Sequence, residues 1–229
     1  MLLLKRTLIC ACLFVSFNTL AAGMVPDTSL LIVNEDEQGA SMDVKNTDAE
    51  AQLLYTKIID LPDDPKPGLI VTQPVVRVEA GKTQRVRFVL KSSGEPLKVE
   101  HFKRVVFTVI PQREKNKVKV VFSQNLPVII HPAGLAVNLE PWKALTWQVK
   151  NSSLTVENNT PYVVRMEQNA KLLPSGTTAK LPKAYLLPGE KMTADTLNKI
   201  SANEKQVEMY PATRYGYKAD NYIAELNKD

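Results

Sequence analysis

The chain has 229 residues, 44% of them hydrophobic, more than one small sandwich needs and enough for two domains of about 100 residues, each with its own core. The formal net charge of +5 comes from scattered lysines that seldom alternate with aromatics, which excludes a nucleic-acid groove as the reason for that charge. The only cysteines, Cys10 and Cys12, both precede residue 23.

Residues 1–22 have the parts of a secretory signal. Lys5 and Arg6 supply the positive start, an apolar run follows over 7–17, and small residues close it at Ala21, Ala22 and Gly23. Processing near Ala22 removes both cysteines, so the exported product has no disulfide and no cysteine metal ligand. The apolar run is shorter than the ~20 residues a membrane span needs, which points to a soluble, exported product. Period-two alternation then predicts strands over 30–33, 41–46, 52–59, 75–79, 85–90, 104–110 and 118–130, separated by stretches rich in Gly, Pro, Asp, Asn and Ser. Seven short strands punctuated this often predict an immunoglobulin-like sandwich. His131, Pro132, Ala133 and Gly134 interrupt the alternation and set a boundary between a first domain, 23–133, and a second, 134–229. In the second, strands are expected over 145–149, 153–158, 162–168, 183–187 and 207–217, with 194–204 a loop or short turn. The fold expected is all-β: two immunoglobulin-like β-sandwich domains at an angle, with a cleft between them.

Motifs that carry chemistry are missing. His101 and His131 are the only histidines, and neither has a partner at metal-ligand spacing. There is no Gly-x-Ser-x-Gly elbow and no glycine-rich phosphate loop, so the sequence predicts no catalytic residue, no metal, no cofactor and no small-molecule substrate. Asn151 and Asn158 each open a three-residue glycosylation pattern but are read as turn residues.

Residues 71–87 run V-T-Q-P-V-V-R-V-E-A-G-K-T-Q-R-V-R. This stretch resembles the T-P-P-x-x-R-[LV]-x-P-G signature, with a later arginine, of the periplasmic chaperones of chaperone/usher pilus systems. Thr72, Pro74, Arg77, Val78, Gly81 and Arg87 match, while Gln73 and Ala80 stand where the family has prolines. Three further pieces resemble the family in the same order: Val109-Ile110-Pro111, the Ile130-His131-Pro132 stretch where the family has Tyr-Arg-Pro, and Leu154 through Tyr162, similar to L-x-[LV]-x-N-P-T-P-Y. Residues 212–217 echo its closing strand more loosely.

The resemblance implies a chaperone that lends a β-strand to an unfinished pilus subunit and delivers it to an outer-membrane usher, with pilus subunits and the usher as partners. β-Strand addition needs apolar side chains at alternate positions on a strand with an open backbone edge. By family spacing, Val118, Val120 and Phe122 fill the subunit's groove. Period alone favours the opposite, that the three face their own domain's core. The short charged loop at 112–117 resembles the family branch linked to rod-like pili. A chain with such an edge can also pair with a second copy of itself when free.

The family also implies a basic pair in the cleft that holds the subunit's terminal carboxylate. Counted from the flanking motifs, those positions fall at or near Leu30 and Pro127, neither of them basic. A desolvated carboxylate needs charge-assisted donors. Pairing of the last two strands of the first domain about the 111–117 turn sets Arg104 beside the cleft end, with Lys103 the second candidate; the competing reading is a solvated pair on an edge strand. Arg77 and Arg87 are expected in structural ion pairs or polar packing. Two other functions stay open from sequence: an exported immunoglobulin-like structural or adhesive module, and an exported hydrolase.

Overall fold

The computed structural model describes residues 23–92, 94–111, 121–150, 152–196 and 199–227. The proposed cleavage near Ala22, the donor positions Val118 and Val120, and Asn151 therefore lie outside or at the edge of the described residues. Nine strands come first: β1 (Met24–Pro26), β2 (Leu31–Asn34), β3 (Gly39–Asn46), β4 (Gln52–Asp60), β5 (Leu69–Val71), β6 (Val75–Val78), β7 (Thr83–Leu90), β8 (His101–Ile110) and β9 (Ser123–His131). They form one folded-over sheet in the order β5-β7-β3-β2-β9-β8-β4-β6, with β1 pairing β3. β2 is the link between the layers: it meets β3 through Asn34 and Gly39 and runs parallel to β9 from Leu31 opposite Val128 to Asn34 opposite His131.

Alternation explains the core. In β7 Val86 and Phe88 point inward between exposed Arg85 and Arg87, and in β8 Val105 and Phe107 do the same. The Phe88 and Phe107 rings meet edge to face at 6.5 Å. Each such ring removed from water contributes about 1.5–3 kcal/mol.

A second set follows a 3₁₀ turn at Pro141–Ala144: β10 (Thr146–Lys150), β11 (Ser153–Glu157), β12 (Val164–Arg165), β13 (Asn169–Leu173), β14 (Thr178–Lys180), β15 (Tyr185–Leu186), β16 (Lys191–Thr196), β17 (Gln206–Met209) and β18 (Tyr222–Asn227). Seven of them close as β10-β11-β16-β14-β13-β17-β18 around Trp147, Leu154, Leu172 and Met209, and β12 pairs β15 separately. The molecule is thus all-β with two immunoglobulin-like domains, as expected from the alternation.

Several expected strands have other bounds. The run at 207–217 stays in strand only to Met209, because Pro211 and the left-handed Gly216 turn the chain. The run at 162–168 is reduced to Val164–Arg165, and 194–196, expected as loop, belongs to β16. Two asparagines perform the same task in the two domains. Asn46 Nδ2 donates to the carbonyls of Glu50 and Val78 at 2.9 and 3.0 Å, and Asn158 Nδ2 donates to those of Tyr162 and Leu187 at 2.7 and 3.1 Å. Each also accepts from the backbone N–H two residues on. Both are buried, so they pin the turn after a strand from within.

A strand edge and an interdomain cleft

β9 has two different halves. One edge pairs antiparallel with β8 from Ser123 opposite Thr108 to Ile130 opposite His101. On the other edge β2 covers only Val128 to His131, which leaves Ser123 to Pro127 without a strand neighbour there among the described residues. Proline is tolerated in such an edge, where its missing N–H costs no ladder bond. Side chains alternate: Leu126, Val128 and Ile130 turn into the first domain's core, while Phe122, of the same parity, lies beyond that core with 70% of its surface exposed.

The opposite face of β8 and β9 looks into the cleft. Phe102 and Ile129 pack there with Leu30 of the first domain and with Val163 and Leu187 of the second, and the Phe102 ring lies 4.8 Å from that of Tyr185. Two residues along β8 on the same face, Arg104 stands opposite Pro127 and donates to the side-chain and backbone oxygens of Asn125 at 2.8 and 2.6 Å. Burial lowers the Arg104 guanidinium below the usual arginine range. Arg165, cross-strand from Tyr185, is lowered by burial and then by the charge of Arg104. Its buried Nη1 makes no hydrogen bond among the described residues.

The pleat separates Lys103 from Arg104. Lys103 is 0% exposed on the core side, where Nζ lies 2.6 Å from Asp60 Oδ1 and reaches the carbonyls of Asp64 and Pro65. It is committed to its own domain and does not stand in the cleft as the sequence reading had it. Of the signature residues, Thr72 N–H donates to the Arg87 carbonyl at 3.1 Å and the Pro74 carbonyl accepts from Thr56 N–H at 2.8 Å. Arg77 pairs with Glu79 at 2.8 Å on the surface, and Gly81 turns the chain at φ +69°. The Arg87 side chain makes no ion pair among the described residues; its neighbour Arg85 grips Asp43 with two bonds, holding that carboxyl below its usual range.

Glu100 and Arg214, which the sequence did not single out, join the two domains. Glu100, 2% exposed, has Oε1 at 2.8 Å from His131 Nδ1 and 2.6 Å from Arg214 Nη1, and Oε2 accepts from Val163 N–H at 2.9 Å. Its own N–H donates to the Pro161 carbonyl. On the far side of the seam Lys183 pairs with Asp63 and, at 2.7 Å, with Glu190. The hairpin at 213–217 packs so closely that a Cβ on Gly216 would stand 2.6 Å from Ser29 Oγ. Among the described residues no helix is long and apolar enough to cross a membrane, and no group of three or more His, Cys, Asp or Glu is arranged to hold a metal.

Two immunoglobulin-like domains, a cleft between them and a strand whose open edge leads into it are the parts of a strand-lending binding protein. Residues 23–136 match the model of the pili and flagellar-assembly chaperone PapD N-terminal domain, and 140–222 that of the pili assembly chaperone PapD C-terminal domain. The fimbrial chaperone YhcA of Escherichia coli (strain K12) is 47% identical over 214 residues, covering 92% of this chain and 94% of that one. Among solved structures the E. coli chaperone DraB superposes with a TM-score of 0.72 at 18% identity (90% of this chain, 98% of that one). The SafB chaperone in complex with Salmonella enterica SafA pilin gives 0.71 at 19% (91% and 98%). The chain belongs to the PapD-type pili assembly chaperones, a periplasmic family. Its function is theirs: it binds, stabilises and delivers fimbrial subunits to an outer-membrane usher by donor-strand complementation.

Proposed function

We propose that the donor side chains are Val118, Val120 and Phe122 and that Arg104 anchors the subunit's terminal carboxylate. The observation that carries this reading is the Phe122 ring. Parity aims it toward the side its own core occupies further along β9, yet the core has ended, and its ring stands 70% exposed next to an edge without a strand neighbour among the described residues. A guest that lays a strand there gains backbone bonds along Ser123 to Pro127 and a ring for its groove. Val118 and Val120 continue the same parity. Arg104 suits the anchor because it is opposite Pro127, where the open edge stops, on the face that looks into the cleft. Lys103, second in the sequence reading, is better explained as the interior partner of Asp60.

The division into 23–133 and 134–229, export with cleavage near Ala22, and a binding role without catalysis complete this reading. The test is co-expression with the pilus subunits encoded beside the chaperone, then co-purification from the periplasm. A one-to-one complex is expected, with the subunit degraded when the chaperone is absent. Val120→Glu or Phe122→Glu should abolish the complex while the free chaperone stays folded, and Arg104→Ala should weaken it. Full complex formation by both strand variants would end the donor assignment.

A further inference from the structure

We propose that Arg165, on the second domain, is the other arm of the anchor, so that one guest carboxylate is gripped by an arginine from each domain. This rests on the reading of Arg104 given above. Three observations converge on it. Phe102 and Tyr185 touch across the seam; Arg104 lies two residues from Phe102 on the same face of β8, and Arg165 is directly cross-strand from Tyr185, so one arginine from each domain stands beside a single ring contact. Arg165 Nη1 is buried and donates to nothing among the described residues, an uncommon and costly condition for a charged donor. Arg165 forms no ion pair among the described residues, whereas the other arginine of this seam, Arg214, meets Glu100 at 2.6 Å.

Two neighbouring cations in a partly dry cleft repel one another, and a carboxylate between them relieves both, because its two oxygens accept from both planar forks. The edge of β9 dictates where that carboxylate comes from. A strand added along Ser123 to Pro127 must stop where β2 begins at Leu31, since β2 occupies the same line from there on. A strand parallel to β9 would bring its carboxyl end to this point, and an antiparallel one its ammonium end. Two arginines admit the first and repel the second, so the pair sets the direction of the guest strand as well as holding its end. Because the arms come from different domains, a bound guest also ties the seam shut.

The decisive experiment co-expresses the full chain with one subunit that it is known to retain and measures dissociation of the purified complex in the presence of a competing donor peptide. Variants are Arg165→Ala, Arg165→Lys, Arg104→Ala and Phe122→Ala, each against the native subunit and one extended by two residues at its carboxyl terminus. Arg165→Ala is expected to speed dissociation roughly tenfold, with Arg165→Lys between it and the native chain. The extension should do the same to the native complex, yet add nothing to Arg165→Ala or Arg104→Ala, because all three remove one interaction. The melting temperature of free Arg165→Ala should not fall, which separates a lost grip from a damaged fold. Native dissociation from Arg165→Ala, with Arg104→Ala and the extension still harmful, removes Arg165 and leaves the Arg104 reading standing. Losses from Arg165→Ala and the extension that multiply also overturn the proposal, because Arg165 then touches something other than the terminus. If only Phe122→Ala matters, the anchor falls altogether.

Discussion

Truncating Phe122 to alanine isolates the guest-facing work of the edge strand. In the free chaperone the ring is 70% exposed, so its removal should change folding stability by no more than about 0.5 kcal/mol, as for surface positions outside the core. In the proposed complex the same ring passes from water into the guest's groove. Full burial of such a side chain is worth roughly 1.5–3 kcal/mol, and scaling by the exposed share leaves about 1–2 kcal/mol at stake. At about 1.4 kcal/mol per factor of ten, Phe122→Ala should weaken guest binding roughly five- to thirtyfold. The assay is competition between native and variant chaperones for one refolding subunit, scored by the ratio of the two complexes, beside urea unfolding of each free chaperone. Equal capture of the guest would refute the reasoning. A loss of free-chaperone stability above about 1 kcal/mol would do so too, since it would mean that the ring belongs to its own domain.

Glu100→Ala should cost about 3–5 kcal/mol in urea unfolding, because it strands the nearly buried Arg214 and His131 and frees the Val163 N–H; a change within error would mean that the seam is held elsewhere. Lys103→Met should leave subunit capture unchanged and alter stability little, since Asp60 is 55% exposed and returns to water; loss of capture by a folded variant would restore Lys103 to the anchor. Asn46→Ala and Asn158→Ala should each lower stability by roughly 1–3 kcal/mol, read by thermal and urea melts, because each leaves inward-facing carbonyls without a donor.

The longer strands were legible from sequence wherever large apolar residues marked every second position. Met42 and Val44 in β3, Val86 and Phe88 in β7 and Val105 and Phe107 in β8 are such positions. β16 escaped because its inward residues are Met192 and Ala194, and a small alanine between polar neighbours gives a weak signal. β12 and β15 are two residues each, below what periodicity can resolve. At the site, Arg104 could be placed because the register of two adjacent strands follows from a short turn. Glu100 and Arg214 could not, because they meet across the seam between domains, with two of the bonds to Glu100 spanning 63 and 114 positions; Arg165 could not, because the Arg104 it neighbours belongs to the other domain. Arg104 and Lys103 stood first and second as candidates in the chain; the pleat sends Lys103 inward and Arg104 to the cleft.

The open half of β9 is short, Ser123 to Pro127 within the described residues, before β2 takes over the same line. A tenant on so brief a berth holds few backbone bonds there, so its lease depends on the oily side chains upstream and on whatever secures its tail. On the proposed assignment, such a guest would be open to a newcomer with a better-fitting strand, starting from whichever end is held least.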